Sequence, residues 1–173
     1  MIILIIFFSG HVGSVAAKYS KNKLNGKRLG ILLALDPAGP VFDSMHVDYR
    51  LSKDDADYVE AHYTSIEMLG LGNSVADVNI YLDIGQNDYF KVDFFGVAAH
   101  SEAVKNFLAS IDKVMIAYEF TCPLQFQHTS LCSKEYREVG EENVVLGGAF
   151  PVLSKKKSEM KSGNFIYTQK KQN

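Results

Sequence analysis

Residues 30–40, GILLALDPAGP, constrain the fold more than any other stretch of the chain. An apolar run without a single charge ends abruptly at Asp36-Pro37-Ala38-Gly39-Pro40. Proline has no N–H to give to a ladder, so the run must stop there. With no polar alternation, it reads as a strand covered on both faces, as in a parallel sheet. A second run, residues 2–8 (IILIIFF), lies upstream and is too short to span a membrane. It reads either as another buried strand or as a signal peptide cut near Val15, Ala16 and Ala17, although no Lys or Arg precedes it. Between the two runs, a Gly-containing turn at 9–13 and a helix over 14–24, stopped by Asn25-Gly26, complete a strand–helix–strand unit. That unit points to the α/β class: a mostly parallel sheet with flanking helices.

Downstream the pattern predicts a short helical stretch at 53–58, a strand at 59–64 (VEAHYT), a loop-rich region over 66–98 and a short strand at 78–82. From Ser101, apolar residues Ala103, Val104, Phe107, Leu108 and Ile111 share one helical face. Short strands are expected at 144–149 and 164–168, around a Lys-rich stretch at 154–161 that reads as a solvated loop. The 173 residues suit a single domain, 1–173, with no internal repeat.

The net charge of −2 offers no electrostatic reason to expect a nucleic-acid partner. Cys122 and Cys132, ten residues apart, suit neither a zinc knuckle nor a thioredoxin-type pair. Their spacing leaves open a small disulfide loop or two buried thiols. His46, His62 and His128 have no ligand-like spacing and no glycine-rich phosphate loop exists, so neither metal nor cofactor is expected. Asp36 stands at a strand's carboxyl end, where α/β folds place their sites, although an Asp before Pro is also an ordinary turn residue. His100, just before the expected helix, suits a cap or surface role as well as a catalytic one. His11 lies in the Gly-bracketed turn after the first apolar run.

Residues 25–40, NGKRLGILLALDPAGP, change this balance. They resemble the NGK…GRITGLDPAGP stretch of the pancreatic-type animal lipase and phospholipase A1 family, part of the α/β-hydrolase superfamily. Further segments follow in the family's order. RLSKDDADYVEAHYT at 50–64 resembles its RLD..DA.FV.VIHT, VADVNIYLDIG at 75–85 its IGH.DFYPNGG, and AAHSEAVKNFLASI at 98–111 its CSHSRA…YF..SI. Ala117-Tyr118 with Cys122 and Cys132 resembles its paired-cysteine stretch, and SGNFIYT at 162–168 a terminal G.YYL.T strand. The likeness is dense over 1–111 and looser over 112–173.

The resemblance implies a partial α/β-hydrolase fold, lacking the N-terminal half of the family domain. Residues 2–8 then match the core strand before the nucleophile turn. It also implies a triad in the chain order Ser, Asp, His, with Asp36 and His100 at the acid and base positions. It implies a secreted protein, a Cys122–Cys132 disulfide, and a lipid or acyl-ester substrate or ligand. The family's nucleophile turn reads GHSLG. Here residues 8–14 read FSGHVGS, so the Ser position is occupied by His11, or the serine is deleted or replaced by Val12. Ser9 and Ser14 lack the elbow pattern. The family His of GH.DFYP is Asp77, and the cysteine of CSH is Ala98, whose usual partner is missing near residues 89–91. Only about residues 92–97 remain where lipases carry a lid, a shortness closer to the phospholipase A1 branch. The expectation is therefore a lipase-family acyl-ester hydrolase impaired by loss of its serine. The alternatives are a yolk-protein-like lipid-binding or storage protein, or a degenerate fragment of a lipase.

Overall fold

A computed structural model describes residues 3–7, 10–66, 69–83, 97–121, 138–146 and 161–168. The first apolar run forms strand β1 (Ile3–Phe7), followed by helix α1 (Gly10–Lys23) and strand β2 (Leu29–Leu35). Strands β3 (Ala56–Tyr63) and β4 (Val78–Asp83) precede helix α2 (Val97–Asp112). Strands β5 (Ile116–Thr121), β6 (Glu138–Val145) and β7 (Gly163–Thr168) complete the described elements. All seven strands join one sheet in the order β1-β2-β3-β4-β7-β5-β6. β1 through β4 and β7 run parallel, and β5 is antiparallel to both β7 and β6. This is the mixed, mostly parallel α/β arrangement expected, consistent with a partial α/β-hydrolase fold.

The continuous apolar run of β2 is explained by its two covered faces. Leu32 and Ala34 join a buried cluster with Ala17 of α1 and Val59 and Ala61 of β3. The alternate residues Leu33 and Leu35 pack with Ala103 and Phe107 of α2. Successive strand side chains point to opposite faces, so the two helices cover opposite sides of the sheet. Each fully buried leucine in these clusters contributes about 2 kcal/mol of apolar burial. Aromatic stacking continues the α1-side core away from β2. Tyr63 stacks on Tyr81 with ring centroids 4.7 Å apart, and Tyr81 meets Phe120 edge-on.

Local details depart from the sequence pattern for identifiable reasons. From residue 10 onward the expected Gly-containing turn is already helix, which begins at Gly10. A Cβ at Gly10 would lie 3.0 Å from Ala34 Cβ and 3.1 Å from Pro37 Cβ, so only a bare backbone lets the first turn lie this close to β2. α1 ends as expected. Asn25 and Gly26 adopt positive φ of 52° and 82°, and Gly26 N–H donates to Lys21 O at 2.9 Å. The helical stretch at 53–58 is replaced by a turn and then β3. Asp55 accepts from Ser52 N at 2.8 Å and pairs with Lys18 Nζ at 2.8 Å, and from Ala56 the chain is committed to β2. α2 begins at Val97 rather than Ser101, whose hydroxyl folds back on Ala98 O at 2.8 Å. His100 therefore sits inside the helix's first turns, not before it.

β5 was not anticipated as a strand. A register shift between Tyr118 and Phe120 breaks the alternation that would have marked it. β6 extends over Glu138–Val145, so the expected strand at 144–149 catches only its end, and 147–149 lie outside the described residues. Ser9, Cys122, Cys132, His128, residues 89–96 and residues 154–160 of the Lys-rich stretch also lie outside them.

Candidate active site

Asp36 is the first residue past β2, and its backbone is forced into an unusual state. Its φ is +46°, a left-handed conformation that Asp tolerates better than most residues. Its N–H still donates to His62 O of β3 at 2.7 Å, which keeps the turn attached to the sheet. The side chain is fully buried, yet four donors converge on it. Thr64 N and Ser65 N reach Oδ1 at 2.7 and 3.0 Å. The Ser65 hydroxyl donates to Oδ2, and His100 Nδ1 meets the same oxygen at 2.6 Å. A buried carboxylate is tolerable only with such satisfaction.

The loop after β3 is clamped against the LDPAGP turn to build this cage. Gly39 N–H donates to Leu69 O at 2.6 Å and Leu71 N–H to Pro37 O at 2.7 Å, while Ala38 and Gly70 form an isolated bridge. The approach is close enough to require glycine twice. A Cβ on Gly39 would stand 2.3 Å from Gly70 O, and one on Gly70 would stand 2.8 Å from Asp36 Oδ1.

His100 arrives from a different element, α2, with its side chain 14% exposed. Because Asp36 Oδ2 is an acceptor, the hydrogen of the neutral ring lies on Nδ1, which leaves the lone pair on Nε2. The carboxylate thereby fixes the orientation and the tautomer of the ring, the arrangement an acid–base pair of a triad requires.

His11 lies in the first turn of α1 and is buried. Leu51 N–H donates to its Nδ1 at 3.0 Å, so its Nε2–H donates to Ala38 O at 2.7 Å. Its ring stacks on Phe42 with centroids 3.8 Å apart. Both nitrogens are thus engaged in tying α1 to the segments after β2 and before β3. Burial holds its pKa below the ordinary histidine value. Ser14, one helical turn further, donates its hydroxyl to Arg50 O at 2.9 Å and accepts from Lys18 Nζ at 2.6 Å.

The remaining singled-out residues have other partners. Asp77 accepts from Val59 N at 2.9 Å and helps start β4 beside β3. His46 contacts Asp48 on an exposed turn. His62 meets Glu60 at 2.7 Å in the core beneath α2, and Tyr58 donates to the same carboxylate. Burial raises the pKa of Tyr58 well above the ordinary tyrosine value. Among the described residues, no group of three or more His, Cys, Asp or Glu could hold a metal ion. Nor is any described helix long and apolar enough to cross a membrane. Sequence reasoning did not single out Ser65. Its only signal was a hydroxyl just past a strand neighbouring the one that ends at Asp36.

A mostly parallel sheet with helices on both faces, with Asp36 and His100 in contact past the end of β2, is consistent with a partial α/β-hydrolase fold. Residues 3–91 match the family model described as Lipase, and the chain belongs to that family. It is 31% identical over 119 residues to phospholipase A1 member A of Homo sapiens, covering 69% of this chain and 25% of that protein. It is 37% identical over 100 residues to phospholipase A1 of Vespula vulgaris, covering 55% and 30% respectively. Over 95 residues it is 38% identical to phospholipase A1 of Vespula maculifrons, covering 54% and 31%. The matched segments thus span between 25% and 31% of the length of these relatives.

Proposed function

We propose that this chain derives from a lipid acyl-ester hydrolase of the phospholipase A1 type and is catalytically impaired, with Asp36 and His100 as the retained acid and base of a triad. Its ligand would be a lipid or acyl ester, and its setting extracellular, as the family resemblance implies. A disulfide between Cys122 and Cys132 belongs to the same reading. The observation that carries it is the state of His11, the residue that one alignment puts in the serine slot. Its ring is buried, stacked and bonded through both nitrogens, which is a packing role. An imidazole so engaged is not available as a substitute nucleophile. Ser14 offers no replacement, because its hydroxyl is committed to Arg50 O and Lys18. Without an activated nucleophile among the described residues of this turn, acyl transfer would lose several orders of magnitude in rate.

The test is hydrolysis of a phospholipid, a triacylglycerol and a short-chain aryl ester by the purified chain, beside a His100→Ala control. The expected result is no turnover above that of the control. Turnover that disappears in His100→Ala would overturn the impairment and restore a working hydrolase.

A further inference from the structure

We propose that Ser65 is a positioning residue for the Asp36–His100 pair, its hydroxyl aiming the carboxylate and dividing the charge of Oδ2 between two donors. The proposal rests on the reading of Asp36 and His100 as acid and base.

Ser65 grips both carboxylate oxygens at once. Its backbone N–H donates to Oδ1 at 3.0 Å, and its hydroxyl donates to Oδ2. Rotation of the carboxylate about its own axis would break both bonds together. Ser65 is itself held: it is 6% exposed, and its carbonyl accepts from Leu69 N at 3.1 Å and Gly70 N at 2.8 Å. Gly70 then closes the cage with no side chain between the loop and Oδ1. His100 comes from a different element, α2, and its Nδ1 meets the carboxylate at Oδ2. The direction and charge that His100 Nδ1 encounters are therefore set on the other side of the carboxylate, by the loop after β3.

Two donors on one oxygen compete for its charge. A hydrogen bond to an ionised group is stronger than a neutral one, so losing the hydroxyl leaves His100 facing a less neutralised oxygen. The same geometry excludes Ser65 as a nucleophile in this state. Its hydroxyl is bonded to the acid, whereas a nucleophilic serine must give its proton to the imidazole.

The experiment is proton NMR of the Nδ1 proton of His100 in the ¹⁵N-labelled full chain. A hydrogen bond to a carboxylate deshields this proton, and His100→Gln assigns it by removing it. In Ser65→Ala the resonance should move further downfield, and in Ser65→Thr it should return to the wild-type position. A resonance that stays put or moves upfield in a folded Ser65→Ala overturns the proposal, since a merely structural hydroxyl would not touch it. A second measurement needs no variant at Ser65. In the wild-type chain the Ser65 hydroxyl proton should exchange slowly and show a cross-peak to the Nδ1 proton, and its absence overturns the proposal. If the wild-type chain has no deshielded proton that His100→Gln removes, the Asp36–His100 pair itself falls, and the proposal with it.

Discussion

Phe7 and Leu35 are register partners at the ends of β1 and β2, and just beyond them the chain does two different things. Past β2, four donors close on Asp36, one of them the imidazole of His100. Past β1, the helix starts at Gly10, and His11 is consumed in holding neighbouring backbone. The first region holds a buried carboxylate against an imidazole, at the cost of a left-handed Asp and two glycines pressed against other atoms. The second has the geometry of ordinary packing. If the proposed triad reading holds, the difference would teach that the two parts of a hydrolase site can be maintained separately. The acid cage is built into the loop–loop contacts that also hold the fold, so it persists as long as the fold does. On that reading the nucleophile turn would have no such second duty, and its side chain could be turned to packing.

Substitutions should break this comparison to different degrees. The largest effect is expected from Asp36→Ala, which strands donors from Thr64, Ser65 and His100 in a buried site. A loss of about 3–5 kcal/mol in unfolding free energy is expected, measured by urea denaturation. Gly39→Ala comes next. Its methyl group would collide with the Gly70 carbonyl, a backbone atom with little room to yield, so about 3 kcal/mol should be lost in the same assay.

His11→Ala tests the other region. Loss of the ring leaves Ala38 O and Leu51 N without their partner and opens the space against Phe42, costing about 2 kcal/mol. Its pH dependence sharpens the point. Burial sets the folded pKa of His11 below the ordinary 6.5, so the unfolded chain binds a proton there more readily than the folded one. The contribution of His11 is therefore present above that value and is lost as pH falls from it toward the lower folded pKa. Wild-type stability should decline as pH falls below about 6.5, and the decline should flatten in His11→Ala. A wild-type curve indistinguishable from the variant's over that range would mean that His11 is not held neutral. The smallest effect belongs to Val12→Ser, one residue on but 63% exposed, which should stay within about 0.5 kcal/mol of wild type.

Much of the fold was legible in order and type. The apolar runs of β1 and β2, the Asn25-Gly26 stop and the face of α2 each carry a local signal, because a covered strand, a left-handed cap and a 3.6-residue period leave their mark on adjacent residues. The expected helix at 53–58 failed because pairing of Ala56 and Tyr58 with β2 overrode local preference. β5 was hidden by its own irregularity.

The candidate site divides along the same line. By itself the sequence determined the chain's class, its family motifs, and the candidacy of Asp36, His100 and His11, since these rest on residue type and order. Only the tertiary structure decided that Asp36 and His100 touch, that His11 is spent on Ala38 O and Leu51 N, and that Ser65 shares the carboxylate. Those facts depend on bringing together residues 27 to 64 positions apart. No local pattern records such contacts, because they form only when the loop after β3 and the start of α2 pack over the ends of the sheet.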